Sequence, residues 1–450
     1  MKNILILALF MGSSSVLFSQ IKVGLDEKLK AFSQNTRPDT IQKIDLSNYQ
    51  LEQLPEIIFK FKNIKELKIS GNRFTKIPGK LRKFKNLRVL NLSNNLQQDN
   101  RQKEIFGKVY GDIDWQKYNG MKVSEVDKIK DSLHSVYNTM TKDIPEPTPI
   151  AIKFRKNKRI EELYLSDNLY REVPKSLKKF KKLNTLYLNQ NKIESLSTVI
   201  NSLKKLKLLS INFNDLKKIE ALDFHKLNKI ESLLLAGNQL NNISENISQA
   251  SSLKKINLAK NKISQIPEHF TKLNQLESIV LYENEIKEIP DFLYEFKNLK
   301  ELDLAYNQLV HISPKIAQWN NLELLYLSFN RLFDLPESIG ELQNLRELYL
   351  HHNQVVQLPK NISKLQDLKV LHLNSNQLNY FPKEILQLKN LEDLNLALNE
   401  IGEFDPKLAE LKNLKILFIN GNAINKESET YLPFKTLFEQ MRERDVVINE

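Results

Sequence analysis

Three of the seven histidines sit close together: His351, His352 and His372. Imidazoles can ligate a metal, move a proton, or make contacts whose charge changes near neutral pH. Zinc would need a third ligand nearby, and no carboxylate is expected at the matching positions, so no metal site is assigned. The histidines are read as part of a binding surface that responds between about pH 5.5 and 7.5. Glu125, Asp131 and His134 form a second polar set, but scattered charges on one helix make a solvated face. Other chemistries lack their residues. The chain has no cysteine, which removes disulfides, thiolate metal sites and a cysteine nucleophile. Only 11 glycines occur in 450 residues, with no G-x-G and no G-x-x-x-x-G-K, so nothing can cradle a nucleotide phosphate. G-x-S-x-G and H-E-x-x-H are missing as well. The reading is a protein without cofactor and without catalysis.

The aromatic residues are more informative. Tyr282, Tyr306, Tyr326, Phe329 and Tyr349 fall near the two outer histidines, His351 and His372, at intervals close to one period. That period belongs to a repeat. Ile64-Lys-Glu-Leu67-Lys-Ile69-Ser-Gly-Asn72 is matched by Leu345-Arg-Glu-Leu348-Tyr-Leu350-His-His-Asn353, and both copies close on a Leu-Pro-like step. The marker asparagines run from Asn72 to Asn422 at a spacing of 23, apart from one of 24 and one gap of 73. With a degenerate first copy carrying Tyr49 in place of asparagine, there are fifteen copies.

Written out, the pattern is L-x-x-L-x-L-x-x-N-x-L-x-x-L-P, which resembles the leucine-rich repeat family. The Leu-Pro step, as at Pro78, Pro336 and Pro359, resembles its Ras-group or scribble-like type. The resemblance implies an α/β solenoid, or horseshoe, with a parallel sheet on its concave face and helical caps. It implies recognition of a protein or peptide by that face. The bacterial leucine-rich repeat ubiquitin ligases need a cysteine nucleophile, which this chain lacks.

The residues justify the pattern independently. Alternating side chains put the leucines of L-x-L inward and the x residues outward. A buried asparagine amide can satisfy backbone groups of neighbouring coils. No copy buries its leucines alone, so stacking supplies the stability and the ends need caps. Leu25, Leu29 and Phe32 mark a first cap helix, and Tyr431–Arg444 a second. About fifteen parallel strands are expected.

The stripe Tyr282, Tyr306, Tyr326, Phe329, Tyr349, His351 and His372 then lies on the concave face of five consecutive copies. Aromatics dominate the centres of interfaces, although they are also frequent coverings of such a sheet. The gap of 73 holds one copy plus an insertion. Its Val123, Val126, Ile129, Leu133, Val136 and Met140 recur at helical spacing, after a loop with Tyr110, Trp115 and Tyr118. This island is either a secondary ligand contact or a tolerated surface insertion.

Residues 1–20, a lysine followed by an apolar run and small residues, have the order of an export signal. An exported chain without cysteine fits a bacterial member of the family, in the periplasm, at the cell surface or secreted. The expected organisation is a signal peptide at 1–20, a cap at 21–40, repeats 1–3 at 41–97, the island at 98–150, repeats 4–15 at 151–427 and a cap at 428–450. No membrane span is expected in the mature chain, and a monomer is expected. The net charge of +13 is uneven: residues 1–250 carry +18 and residues 251–450 carry −5. The alternative function is therefore binding of an anionic polymer or envelope surface by the basic half. Nucleic acid is disfavoured, because only 12 of the 67 basic residues are arginine.

Overall fold

The computed structural model describes residues 14–35, 37–95, 159–424 and 432–449, with isolated helical positions at 132, 135, 136 and 139. It divides into two compact units, Met1–Lys192 and Ile193–Glu450. The first opens with helix α1 (Ser14–Gln34). Five three-residue strands follow: β1 (Lys43–Asp45), β2 (Glu66–Lys68), β3 (Val89–Asn91), β4 (Glu162–Tyr164) and β5 (Thr185–Tyr187). They form a parallel ladder in chain order, with register Ile44↔Leu67↔Leu90↔Leu163↔Leu186. Coil follows coil because β1, β2 and β4 are each fed back by a short 3-10 turn, Glu56–Lys60, Gly79–Lys83 and Lys175–Lys179, entered from a proline. Proline fixes the φ that starts such a turn and has no N–H to leave unpaired. Leu67 and Ile69 are fully buried, as the alternation requires. The expected first cap is the end of the longer helix α1, where Phe32 meets Phe61 edge-on at 5.3 Å.

The second unit carries β6 (Leu208–Ser210), β7 (Ser232–Leu234), β8 (Lys255–Asn257), β9 (Ser278–Val280), β10 (Glu301–Asp303) and β11 (Leu324–Tyr326). It continues with β12 (Glu347–Tyr349), β13 (Val370–His372), β14 (Asp393–Asn395) and β15 (Ile416–Phe418). Helix α2 (Leu432–Arg442) covers the end, its Phe438 and Met441 fully buried. Beyond it, Val447–Asn449 forms β16, a sixteenth parallel strand against β15, where fifteen were expected. Three residues after a cap are too short to show a period. Their pairing depends on the free edge of β15, which Asn449 caps by accepting from Ile419 N–H at 2.8 Å.

The asparagines form the ladder that the repeat predicts. Asn330 donates from Nδ2 to Leu304 O and Leu327 O, both at 2.9 Å, and its Oδ1 accepts from Leu309 N–H at 2.9 Å. Asn307, Asn353 and Asn376 repeat the arrangement. Each side chain thus satisfies buried backbone groups of two coils that no strand bond reaches. In the degenerate first copy, Tyr49 N–H still donates to Asn72 of the next coil. The far side of the second unit is filled by large residues: Tyr294 and Trp319 pack at 4.7 Å, and the indole N–H donates to Leu293 O at 2.9 Å.

Tyr110, Trp115, Tyr118 and the polar set around His134 lie outside the described residues. So does most of the expected island helix. Val136, assigned to its apolar face, is 48% exposed.

Candidate ligand-binding face

Each coil presents four residues on its strand face. Two flank the central core residue of the strand. A third follows the next core residue, and a fourth, at the exit, precedes the marker asparagine. In the second unit the exit residue is left-handed throughout β10 to β12: Tyr306, Phe329 and His352 have φ of 55, 54 and 56°. Gly237 and Gly421 occupy the equivalent position with φ of 65 and 71°. Glycine adopts this conformation freely, whereas a bulky side chain costs on the order of 1–2 kcal/mol there. The scaffold accepts glycine at the exit, yet three adjacent coils carry rings.

Those rings form a continuous file. Tyr282 meets Tyr306 edge-on at 5.1 Å, Tyr306 stacks on Phe329 at 3.8 Å, and Phe329 stacks on His352 at 4.0 Å. A second file runs beside it: Tyr326 stacks on Tyr349 at 4.9 Å, and Tyr349 meets His372 edge-on at 4.9 Å. His351 joins the two, at 5.2 Å from Phe329 and 6.4 Å from His372. All seven stripe residues read from the sequence thus fall in one patch. His352 belongs to it as well; it holds the same exit position as Tyr306 and Phe329, but the stripe left it out.

The histidine chemistry differs from expectation. Burial pushes His351 down to about 4, helped by the neighbouring His352 and His372, and burial also lowers His352. His351 therefore titrates below the expected window. Asp303 titrates within it, since burial raises its carboxyl to about 6. A carboxylate also stands where none was expected: Asp393, on β14, places Oδ1 3.2 Å from His372 Nε2, although the two are not aligned as a hydrogen bond. It comes from the strand position before those inspected in the sequence. Among the described residues no three His, Asp or Glu side chains are grouped to hold a metal.

Besides Asp393 and the exit residue Glu283, which pairs with Lys260 at 3.0 Å, the face carries Glu301, Asp303 and Glu347. Asp303 accepts only from the Ala305 N–H at 3.0 Å. Glu301 accepts from the Ser278 hydroxyl at 2.7 Å. Glu347 accepts from the hydroxyls of Tyr349 at 3.1 Å and Tyr326 at 3.4 Å. Burial holds both of these phenols protonated, raising Tyr349 to about 12 and Tyr326 further. In the first unit the strand face differs. Tyr164 stacks on Tyr187 at 4.8 Å, Ser47 and Ser70 share a hydrogen bond, and Glu66 is neutralised by Lys43 at 3.0 Å and Lys68 at 3.5 Å.

Two family models match the chain, a leucine-rich repeat over residues 39–96 and a leucine-rich repeat region over residues 278–438. No curated protein sequence matches it. Among solved structures, a leucine-rich repeat protein of Leptospira interrogans is similar at 25% identity, with a TM-score of 0.67 over 94% of this chain and 98% of its own. An internalin, inlF, of Listeria monocytogenes gives 19% identity and a TM-score of 0.54, covering 92% of each chain. A plant peptide hormone receptor, RGFR1, in complex with RGF2, gives 21% identity and a TM-score of 0.51 over 86% of this chain and 64% of its own. Among the described residues no helix is long and apolar enough to cross a membrane. The repeat pattern, the asparagine ladder, the parallel strands and these matches agree: the chain is a leucine-rich repeat protein.

Proposed function

We propose that the strand face of the second unit recognises a protein or peptide partner without catalysis, in an exported protein. The observation that carries this reading is the double file of rings from Tyr282 to His372. Tyr306 is 40% exposed, and it is held in a left-handed conformation that glycine would adopt without strain. The left-handed exit also carries Phe213, Lys260, Glu283 and Leu398 in other coils, so what singles out this stretch is three rings in succession, each stacked on the next. Rigid aromatic residues bury much area for little lost entropy, which is why they anchor interfaces. The known plant receptor of this fold is itself bound to a peptide hormone, which favours a peptide among partners.

Affinity capture with the full chain as bait tests the reading. Tyr326→Ala with Tyr349→Ala is expected to release the captured partner. Retention of every partner would move recognition to the basic half, the alternative reading. Salt separates the two: an anionic polymer on the basic half is released steeply as salt rises, whereas an aromatic-centred contact is not. Export follows from the leader-like order of residues 1–20. Full-length chain starting at Met1 in the cytoplasmic fraction would contradict it.

A further inference from the structure

The carboxylates of the second unit divide by position. Those at the strand entrance are compensated: Glu277 pairs with Lys300 at 3.0 Å, Glu323 with Arg346 at 3.1 Å, and Glu392 with Lys369 at 3.0 Å. On the strand face the exit residue Glu283 is paired with Lys260 and Asp393 stands beside His372, but the three carboxylates in the middle of the face are not compensated: Glu301, Asp303 and Glu347 have neutral donors and no ion-pair partner among the described residues. From β9 to β15 no lysine or arginine occupies any of the four strand-face positions. Cations are kept off this face although residues 251–450 hold 23 lysines and arginines.

We propose that this face takes a lysine or arginine side chain of its protein or peptide partner, seated beside Asp303 and Glu347 against the rings of Tyr282, Tyr306, Tyr326 and Tyr349. The inference rests on the reading of the face as the recognition surface and adds the chemistry of what it recognises.

The groups are complementary to a cation. Carboxylate oxygens and ring faces offer negative charge, and an ammonium or guanidinium carries donors only. A half-buried carboxylate without a counter-charge is costly, and a guest cation removes that cost. Burial and the neighbouring Glu301 raise the carboxyl of Asp303, and a cation seated beside it would offset both. A separate observation points the same way. Ser328 leaves β11 on this face between Ala305 and His351 of the adjoining coils, is 3% exposed, and its hydroxyl has no hydrogen-bond partner. Buried polar groups are nearly always satisfied, and its free lone pairs suit a guest donor. At the edge of the patch the molecule makes the proposed contact internally: Lys260 Nζ lies 5.7 Å from the centre of the Tyr282 ring and 3.0 Å from Glu283.

Hexa-arginine and hexaglutamate, titrated calorimetrically into the full chain at about physiological ionic strength, test the proposal. A protein of charge +13 repels hexa-arginine as a whole, so its binding requires a local acidic site. Hexa-arginine is expected to bind, to weaken about tenfold or more with Asp303→Asn, and to recover with Asp303→Glu. Ser328→Ala is expected to weaken it further while raising the unfolding midpoint, because the variant removes an unsatisfied buried group. Hexaglutamate binding is expected to ignore all three changes. Hexa-arginine that fails to bind, or that binds Asp303→Asn as well as the unaltered chain, overturns the proposal. If that occurs while Tyr326→Ala with Tyr349→Ala still releases the captured partner, the recognition reading stands and only the cation is lost. If the tyrosine variant also keeps its partner, the recognition reading falls with it.

Discussion

The two units build their strand faces on one repeat and use them differently. In each, leucines alternate inward, asparagines bridge coils and prolines open the return turn. On the face, the first unit sets serines, a stacked Tyr164–Tyr187 pair and a Glu66 neutralised by two lysines. The second sets two files of rings, a half-buried His351 whose pKa is pushed down to about 4, and carboxylates without cations. The inward residues are fixed by the need to stack, so they say only that the solenoid forms. The outward residues are free of that demand, and their divergence between units is where recognition chemistry can be read.

The largest effect should come from the shared scaffold. Leu304 is fully buried between coils, so Leu304→Ala is expected to cost about 2–5 kcal/mol in urea unfolding. Leu90→Ala in the first unit should cost a similar amount, since it is equally buried. A cost near zero at either site would show that the coil is not packed as described. Asn330→Ala strands the Leu309 N–H and two carbonyls, and is expected to cost about 1–3 kcal/mol.

The next effect should separate the units. Tyr326→Ala with Tyr349→Ala is expected to weaken partner binding by about 2 kcal/mol or more. The unfolding midpoint should move little, since both rings stand on the outer side of the sheet.

A smaller effect concerns pH. Asp303 has a folded pKa of about 6 against an ordinary 3.8, so the folded state keeps its proton longer than the unfolded chain. Its contribution to stability is present below about pH 4 and is lost as pH rises to about 6. His351 has a folded pKa of about 4 against an ordinary 6.5, so its contribution runs the other way and is lost as pH falls from about 6.5 to 4. The slopes oppose within one window. Asp303→Asn should therefore steepen the rise of the midpoint between about pH 4.5 and 6, and His351→Gln should flatten or reverse it. Identical profiles for all three chains would refute the burial of both groups.

The smallest effect tests the strained exit. Tyr306→Gly relieves about 1 kcal/mol of left-handed strain but removes the stack on Phe329, of similar size, so the midpoint should hardly move. Binding should still fall. A large loss of stability would mean that the ring serves the sheet.

The scaffold was legible in the sequence because the 23-residue period states its own register: once Leu67 and Ile69 point inward, every strand and every outward position follows. The ring patch was legible for the same reason. The chemistry within it was less so. Reading the outward positions from mid-strand to the exit found the rings from Tyr282 to His372 but passed over Glu301, Glu347 and Asp393, one step earlier on the same face. The pKa of His351 could not be read from its type, because it is set by burial among neighbouring rings. Strand β16 carries no period at all and exists only because β15 would otherwise end the sheet unpaired.

The most direct test sets the two faces against each other in one assay. The affinity of the captured partner is measured for the unaltered chain, for Tyr326→Ala with Tyr349→Ala, and for Tyr164→Ala with Tyr187→Ala. Each variant removes one stacked tyrosine pair from an equivalent strand position. The account predicts a loss of about thirtyfold or more for the second-unit pair and less than about twofold for the first. Equal losses, or a loss confined to the first unit, would contradict it.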